Sequence, residues 1–312
     1  MRLMDGLRFA VGTLCAFPVR VERVDRQVAG QAMVLAPAVG LALGLVAALP
    51  LLLPAPPLLG AVLALGLLAL LTRGLHLDGL ADLADGLGSG KPPPQALDIM
   101  KKSDIGPFGV MTLALTLIVQ VVALADAGFW ALVTACVAGR LALTWACRSG
   151  VPAARPDGLG AMVAGTVRRP AAWLATLAAL LATAVIGLLP APGTDLWAWG
   201  GDDSAGWGRE LSVTYAEPFL AGACPQADEP GLRYYDMDSE YPMGMLSASV
   251  ECEAAAFTGL LVAPVALLAG LGAALLLLRH ARRRLGGITG DVLGALVETA
   301  AAATLVVYAI LC

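Results

Sequence analysis

A chain of 312 residues that is 58% hydrophobic and only 14% charged, with a mean hydropathy of +0.78, is excluded from the soluble globular class and reads as a polytopic membrane protein. The formal net charge of −4 conveys little by itself, because acids and bases are segregated along the chain, and no nucleic-acid partner is expected. Six cysteines, at 15, 136, 147, 224, 252 and 312, show no CxxC or Cys/His ligand spacing, which argues against a structural zinc site.

The N-terminal stretch carries Arg2, Arg8, Arg20, Arg23 and Arg26 around a short apolar piece, Phe9 to Phe17, too short to cross hydrocarbon. It predicts an interfacial helix and a loop, with no cleavable signal. Apolar stretches of span length then fall near 31–53, 55–73, 107–125, 128–148, 171–190, 256–278 and 291–311. The expected fold class is therefore all-α, a membrane-embedded helix bundle of about seven spans. Basic residues fill alternate connections, namely the N-terminal segment, 73–106, 148–170 and 279–284, while 53–57 and 125–128 have none. Short loops rich in Lys and Arg stay cytoplasmic, so the N-terminus is expected inside, the C-terminus outside, and every motif-bearing loop in the cytoplasm.

Between the second and third stretches lies Gly74-Leu-His76-Leu-Asp78-Gly-Leu-Ala-Asp82-Leu-Ala-Asp85-Gly-Leu-Gly-Ser-Gly90. On a helix the i, i+4, i+7 spacing of Asp78, Asp82 and Asp85 places all three carboxylates on one arc about 60° wide. Like charges one turn apart repel, and beside a membrane the lower dielectric makes an uncompensated cluster costlier. A divalent cation removes that cost, and a solvated polar stripe is the competing account. After a Gly-Ser-Gly-Lys-Pro-Pro-Pro linker come Lys101, Lys102, Ser103 and Asp104, followed by Gly106 and Pro107. Two readings stay open for the lysines: point charges for phosphate oxygens, or anchors on the cytoplasmic side.

Arg140 sits within the fourth stretch, where a charge is costly and defaults to a functional hypothesis. The segment 191–253 holds twelve acids against Arg209 and Arg233, a net charge of −10, and by alternation lies outside as an acidic insertion. Its two cysteines, Cys224 and Cys252, would be free to pair in an oxidising compartment. The chain is thereby divided into a transmembrane catalytic bundle, 1–190 and 254–312, and an extracytoplasmic acidic insertion, 191–253. Near the C-terminus Thr289 is placed to cap a helix on which Asp291 and Glu298 share a face, Glu298 about 10 Å deeper. A carboxylate at that depth calls for a cation or a proton. His76 falls opposite the acidic face and His280 lies in a basic loop, and neither is read as a ligand.

At these residues the chain resembles the cobalamin synthase family, the adenosylcobinamide-GDP ribazoletransferases. The resemblance rests on five pieces: Phe17-Pro18-Val-Arg20; His76-Leu-Asp78-Gly79-Leu-Ala-Asp82-x-x-Asp85-Gly86; Ile99-Met-Lys101-x-Ser103-x-Ile-Gly106-Pro107-Phe-Gly109; Gly139-Arg140 with Asp157-Gly158-Leu-Gly160; and Leu285-Gly286-Gly287-x-Thr289-Gly290-Asp291-x-Leu-Gly294-Ala-x-x-Glu298. It covers nearly the whole chain outside 191–253, for which it offers no counterpart. What it implies is a multi-pass enzyme of the cell inner membrane, embedded in the lipid bilayer. The reaction implied joins adenosylcobinamide-GDP to α-ribazole or its 5′-phosphate, releasing GMP, with Mg²⁺ as cofactor. Asp78, Asp82 and Asp85 would be catalytic; Lys101, Ser103 and Arg140 would bind substrate; and Asp78, Asp82, Asp85, Asp291 and Glu298 would supply the metal ligands. Lys102 and Asp104 exchange the acid and base that flank the serine in relatives, so Asp104 receives no metal role. A cation-coupled transporter, which would also bury carboxylates and an arginine among spans, is the alternative function, although no internal repeat is visible.

Overall fold

The computed structural model describes residues 2–20, 25–102, 104–190, 192 and 243–311. Among the described residues the elements are helical: α1 (Arg2–Leu14), α2 (Arg26–Ala47), α3 (Pro57–Leu71), α4 (Leu75–Gly88), α5 (Pro93–Ile99), α6 (Pro107–Ala146), α7 (Gly158–Val163), α8 (Arg169–Gly187), α9 (Met243–Leu285) and α10 (Gly290–Leu311). Five of them supply stretches long and apolar enough to cross a membrane, and the bent pair α3 and α4 makes a sixth if counted as one span. This establishes a multi-pass helical architecture without fixing the expected number of seven.

At 1.5 Å per residue a helix of forty residues would be about 60 Å long, twice the thickness of a hydrocarbon core. α6 avoids that length by breaking at Gly128, whose φ of 74° and ψ of −161° are not helical. The break falls where the sequence separates 107–125 from 128–148. At the other junction α9 extends further than expected, beginning at Met243 and thus inside the segment read as insertion. Cys224 lies outside the described residues and so does the Cys252 side chain, so their pairing does too.

α10 sits at the middle of the bundle and packs on α6, α9 and α4, while α2 packs on α6 and α1. Lipid-embedded helices gain nothing from apolar burial against one another, so close backbone approach has to supply the packing. Gly44 of α2 meets that need, since a Cβ there would lie 2.8 Å from the Cα of Val133. Thr289 caps α10 as the sequence suggests, its hydroxyl oxygen accepting from Val292 N–H at 3.2 Å.

Candidate functional site

The acidic helix is aimed by the bend that precedes it. Arg73 (φ 56°) and Gly74 (φ 64°) are both left-handed, and through them α4 turns 89° away from α3. Glycine accepts that conformation freely, whereas an arginine does so at a cost. α4 then runs as a crossbar from the start of α10 to the start of α6. At one end a Cβ on Gly79 would stand 2.8 Å from the Asp291 carbonyl oxygen and 3.2 Å from the Gly294 Cα, so only a glycine lets the two helices meet there.

At the other end Asp85 holds α6. Its carboxylate accepts from Gly106 N–H at 2.7 Å and Gly109 N–H at 2.9 Å, and the residue is 7% exposed. Gly106 is the N-cap of α6 and has no side chain to satisfy the free N–H groups, so a carboxylate borrowed from α4 does so at the positive end of the helix. The structure therefore turns Asp85 away from its expected place beside the other two acids. Both of its oxygens serve the α6 terminus.

Asp78 and Asp82 do face a common cavity of about 450 Å³, lined also by Lys101, Lys102, Asp104 and Met100. Burial raises the Asp82 carboxyl to about 6, with the charges of Asp78, Asp291 and Asp85 adding to the effect and Arg155 opposing it. Among the described residues no three His, Cys, Asp or Glu side chains stand close enough together to hold a metal ion by themselves. What α4 presents is thus a concentration of negative potential, with lysines across from it, rather than a closed cage of ligands. Mg²⁺ usually takes only one or two carboxylates and fills its shell with water and substrate phosphate, so this donor set suits it. Asp104, given no role from the sequence, lies on the cavity wall, while Ser103 is outside the described residues.

Asp291, in the first turn of α10, accepts a hydrogen bond from Thr289 Oγ1 at 3.2 Å and lies 3.9 Å from Arg155 Nη1. Arg155 is a residue beside Asp291 that the sequence did not single out. Its Nη2 donates to the Leu97 carbonyl at the end of α5, and its Nε is buried without a partner among the described residues. The loop that carries it is bound to the turn before α10 by two backbone bonds, Ala154 N–H to Ile288 C=O at 2.9 Å and Ile288 N–H to Pro152 C=O at 3.0 Å. A Cβ at Gly287 would collide with the backbone of that loop, so the glycine is what admits the pairing. The signal available in sequence was its position two residues before the Asp157-Gly158-Leu-Gly160 motif. From the same loop Asp157 makes a loose, exposed pair with Lys101 at 4.0 Å, a contact of small energetic weight.

Arg140 and Glu298 stand apart from this cavity, deeper in the bundle. Arg140 is 1% exposed, with Nε and Nη2 unpartnered among the described residues. Glu298 Oε2 accepts from Gln120 Nε2 at 2.9 Å, joining α10 to the first half of α6. His76 is buried behind the acidic face, its Nε2 also unpartnered among the described residues.

Residues 6–201 and 218–309 match the family described as cobalamin-5-phosphate synthase. The match runs through most of the acidic segment and omits only 202–217, which corrects the expectation that 191–253 has no counterpart. A protein of Frankia casuarinae named adenosylcobinamide-GDP ribazoletransferase is 39% identical over 98% of this chain and 95% of its own length. One of the same name from a Nocardioides species is 45% identical over 60% of this chain and 83% of its own, and one from Corynebacterium efficiens 37% identical over 56% and 68%. No solved structure matches.

Proposed function

The chain belongs to the cobalamin-5-phosphate synthase family, and from that premise we propose that it is a membrane transferase joining adenosylcobinamide-GDP to α-ribazole, or to its 5′-phosphate, with release of GMP. Neither the fold nor any relative supports the transporter alternative. We further propose the inner membrane as its location, with the cavity beside α4 open to the cytoplasm. The observation that carries the site assignment is the juxtaposition of Asp78 and Asp82 with Lys101 and Lys102 in one cavity.

In the reaction a ribazole hydroxyl forms a new O–P bond at the phosphorus attached to cobinamide, the P–O bond to GMP breaks, and the hydroxyl proton is lost. The protein has little covalent chemistry to perform and acts by positioning and by charge. Lys101 and Lys102 hold phosphate oxygens as mobile point charges. Arg155, beside Asp291 and with one buried N–H unspent, fixes a phosphate oxygen. Asp78, Asp82 and Asp291 are the residues to hold Mg²⁺, which when bound supplies positive charge against the charge growing on the departing GMP. Asp85 keeps α4 and the N-terminus of α6 in register.

The test is GMP release by purified protein in liposomes given adenosylcobinamide-GDP, α-ribazole and Mg²⁺. Turnover should require both substrates, cease with EDTA and return with Mg²⁺. Absence of GMP under all these conditions overturns the assignment, and turnover indifferent to EDTA removes the metal from it.

A further inference from the structure

At the bundle end that carries the Arg155 loop a second cationic feature is present, and the transfer reaction makes no use of it. Arg148 follows the C-terminus of α6, Arg169 opens α8 and Arg282 lies in the last turn of α9. They converge on Gly150: Arg282 Nη2 donates to its carbonyl at 3.2 Å, and a Cβ on Gly150 would lie 3.9 Å from Arg169 Nη2. The Arg282 Nε is buried and without a partner among the described residues. Burial first, then the charges of Arg282 and Arg169, lower the pKa of Arg148, which is the mark of cations crowded together.

The surface beside this cluster has the form of a lipid track. Arg148 lies over the Trp145 ring at 5.5 Å, Trp145 Nε1 donates to Thr176 Oγ1 at 2.9 Å, and Trp173 meets Trp145 edge to face at 4.9 Å. From Arg169 an exposed ridge of α8 continues at every fourth residue through Trp173, Leu177, Leu181 and Val185, the last four each more than half exposed. Residues spaced by four advance about 40° around the helix at each step, so the row is an oblique ridge winding around α8, and its sixteen residues span about 24 Å, more than the hydrocarbon depth of one leaflet. Cations at the top, an indole at the interface and an aliphatic stripe beneath match a phospholipid in order and in scale.

We propose that Arg148, Arg169 and Arg282 bind the phosphate of an anionic phospholipid of the cytoplasmic leaflet, whose acyl chain lies along Trp173, Leu177, Leu181 and Val185. Topology alone does not demand this arrangement, because orienting a membrane protein requires basic residues in a loop, not three helix ends meeting at one point with a buried N–H left over.

The experiment is native mass spectrometry of the full chain in neutral detergent, titrated with phosphatidylglycerol or with phosphatidylcholine of the same acyl chains. Wild type should retain phosphatidylglycerol selectively. Arg169→Gln, at an exposed position, should weaken that retention about fivefold, and Arg148→Lys should leave it nearly intact. The Arg148→Gln/Arg169→Gln double variant should show no preference between the lipids, while Lys91→Gln, which removes a positive charge elsewhere, should behave as wild type. Equal retention of both lipids by wild type, or undiminished selectivity in the double variant, overturns the proposal. Displacement of phosphatidylglycerol by millimolar inorganic phosphate or GMP also overturns it, because the cluster would then be a site for a soluble phosphate. None of these readouts depends on turnover, so the assigned reaction stands or falls separately.

Discussion

Asp82 and Asp85 are three residues apart on one helix and do opposite things. The Asp85 carboxylate completes the N-terminus of α6, so Asp85→Ala leaves two N–H groups without an acceptor at a helix end. A loss of about 1–3 kcal/mol is expected, visible as a lower thermal midpoint in detergent. Asp82→Asn keeps shape and removes charge from a repelling group of acids. Its midpoint should equal or exceed that of wild type, while GMP release falls on the order of a hundredfold or more. The reverse pattern, an unstable but active Asp82→Asn and a stable but inactive Asp85→Ala, would exchange the two roles. The elevated Asp82 carboxyl adds a pH dependence whose direction is fixed: it has to lose its proton before it can hold a cation, so proton and Mg²⁺ compete below about pH 6. The Mg²⁺ concentration for half-maximal turnover should therefore rise steeply between pH 6.5 and 5 in assays spanning that range. A flat profile would take Asp82 out of the metal site.

Between elements, the decisive contact is that of α4 with the start of α10. A methyl group at Gly79 would press on the Asp291 backbone at 2.8 Å, forcing the two acid-bearing helices apart. Displacements approaching 1 Å cost on the order of a hundredfold in rate, so Gly79→Ala should lose at least tenfold in kcat. Gly66→Ala, where an added Cβ meets nothing within 4 Å, should lose nothing. The same contact marks the limit of what the sequence discloses. Helical period and apolar length revealed the helices and the shared arc of Asp78 and Asp82, since both are local properties. The destination of Asp85 was hidden because it depends on a second helix start lacking a capping side chain, twenty-one residues further on. The signal was present as Gly106-Pro107, a helix start with nothing to cap it. Arg155 was hidden for a related reason: as one basic residue in a basic loop it looked topological, and only the pairing of its neighbours Pro152 and Ala154 with Ile288 directs it toward Asp291. Arg140 and Glu298 were recognisable as costly buried charges, but depth along a helix does not disclose which cavity a side chain reaches.

For the whole molecule, the basic connections imply an orientation that the helices alone leave open. Reporter fusions at Ser89 and at Asp203 should report opposite compartments, Ser89 inside. Identical signals would invert or dismantle the cytoplasmic placement of the cavity. The acidic segment also changes standing at this scale. The family match covers all of it except 202–217, and α9 begins within it, so most of 191–253 belongs to the family's own plan and not to an appendage.

The central position of α10 bears on how the protein comes into being. Asp78 and Asp82 leave the ribosome more than two hundred residues before Asp291, and Pro152 and Ala154, in the loop bearing Arg155, lack their backbone partner until Ile288 has been made. During synthesis the early helices therefore hold a repelling acidic face whose counterpart does not yet exist. Function arrives with the final helix, all at once, and a chain interrupted before α10 is inert however well its first helices insert. Divided within the acidic segment, the gene would yield an N-terminal fragment with most of the cavity and a C-terminal pair of helices able to complete it, so co-expressed halves should regain turnover that neither has alone.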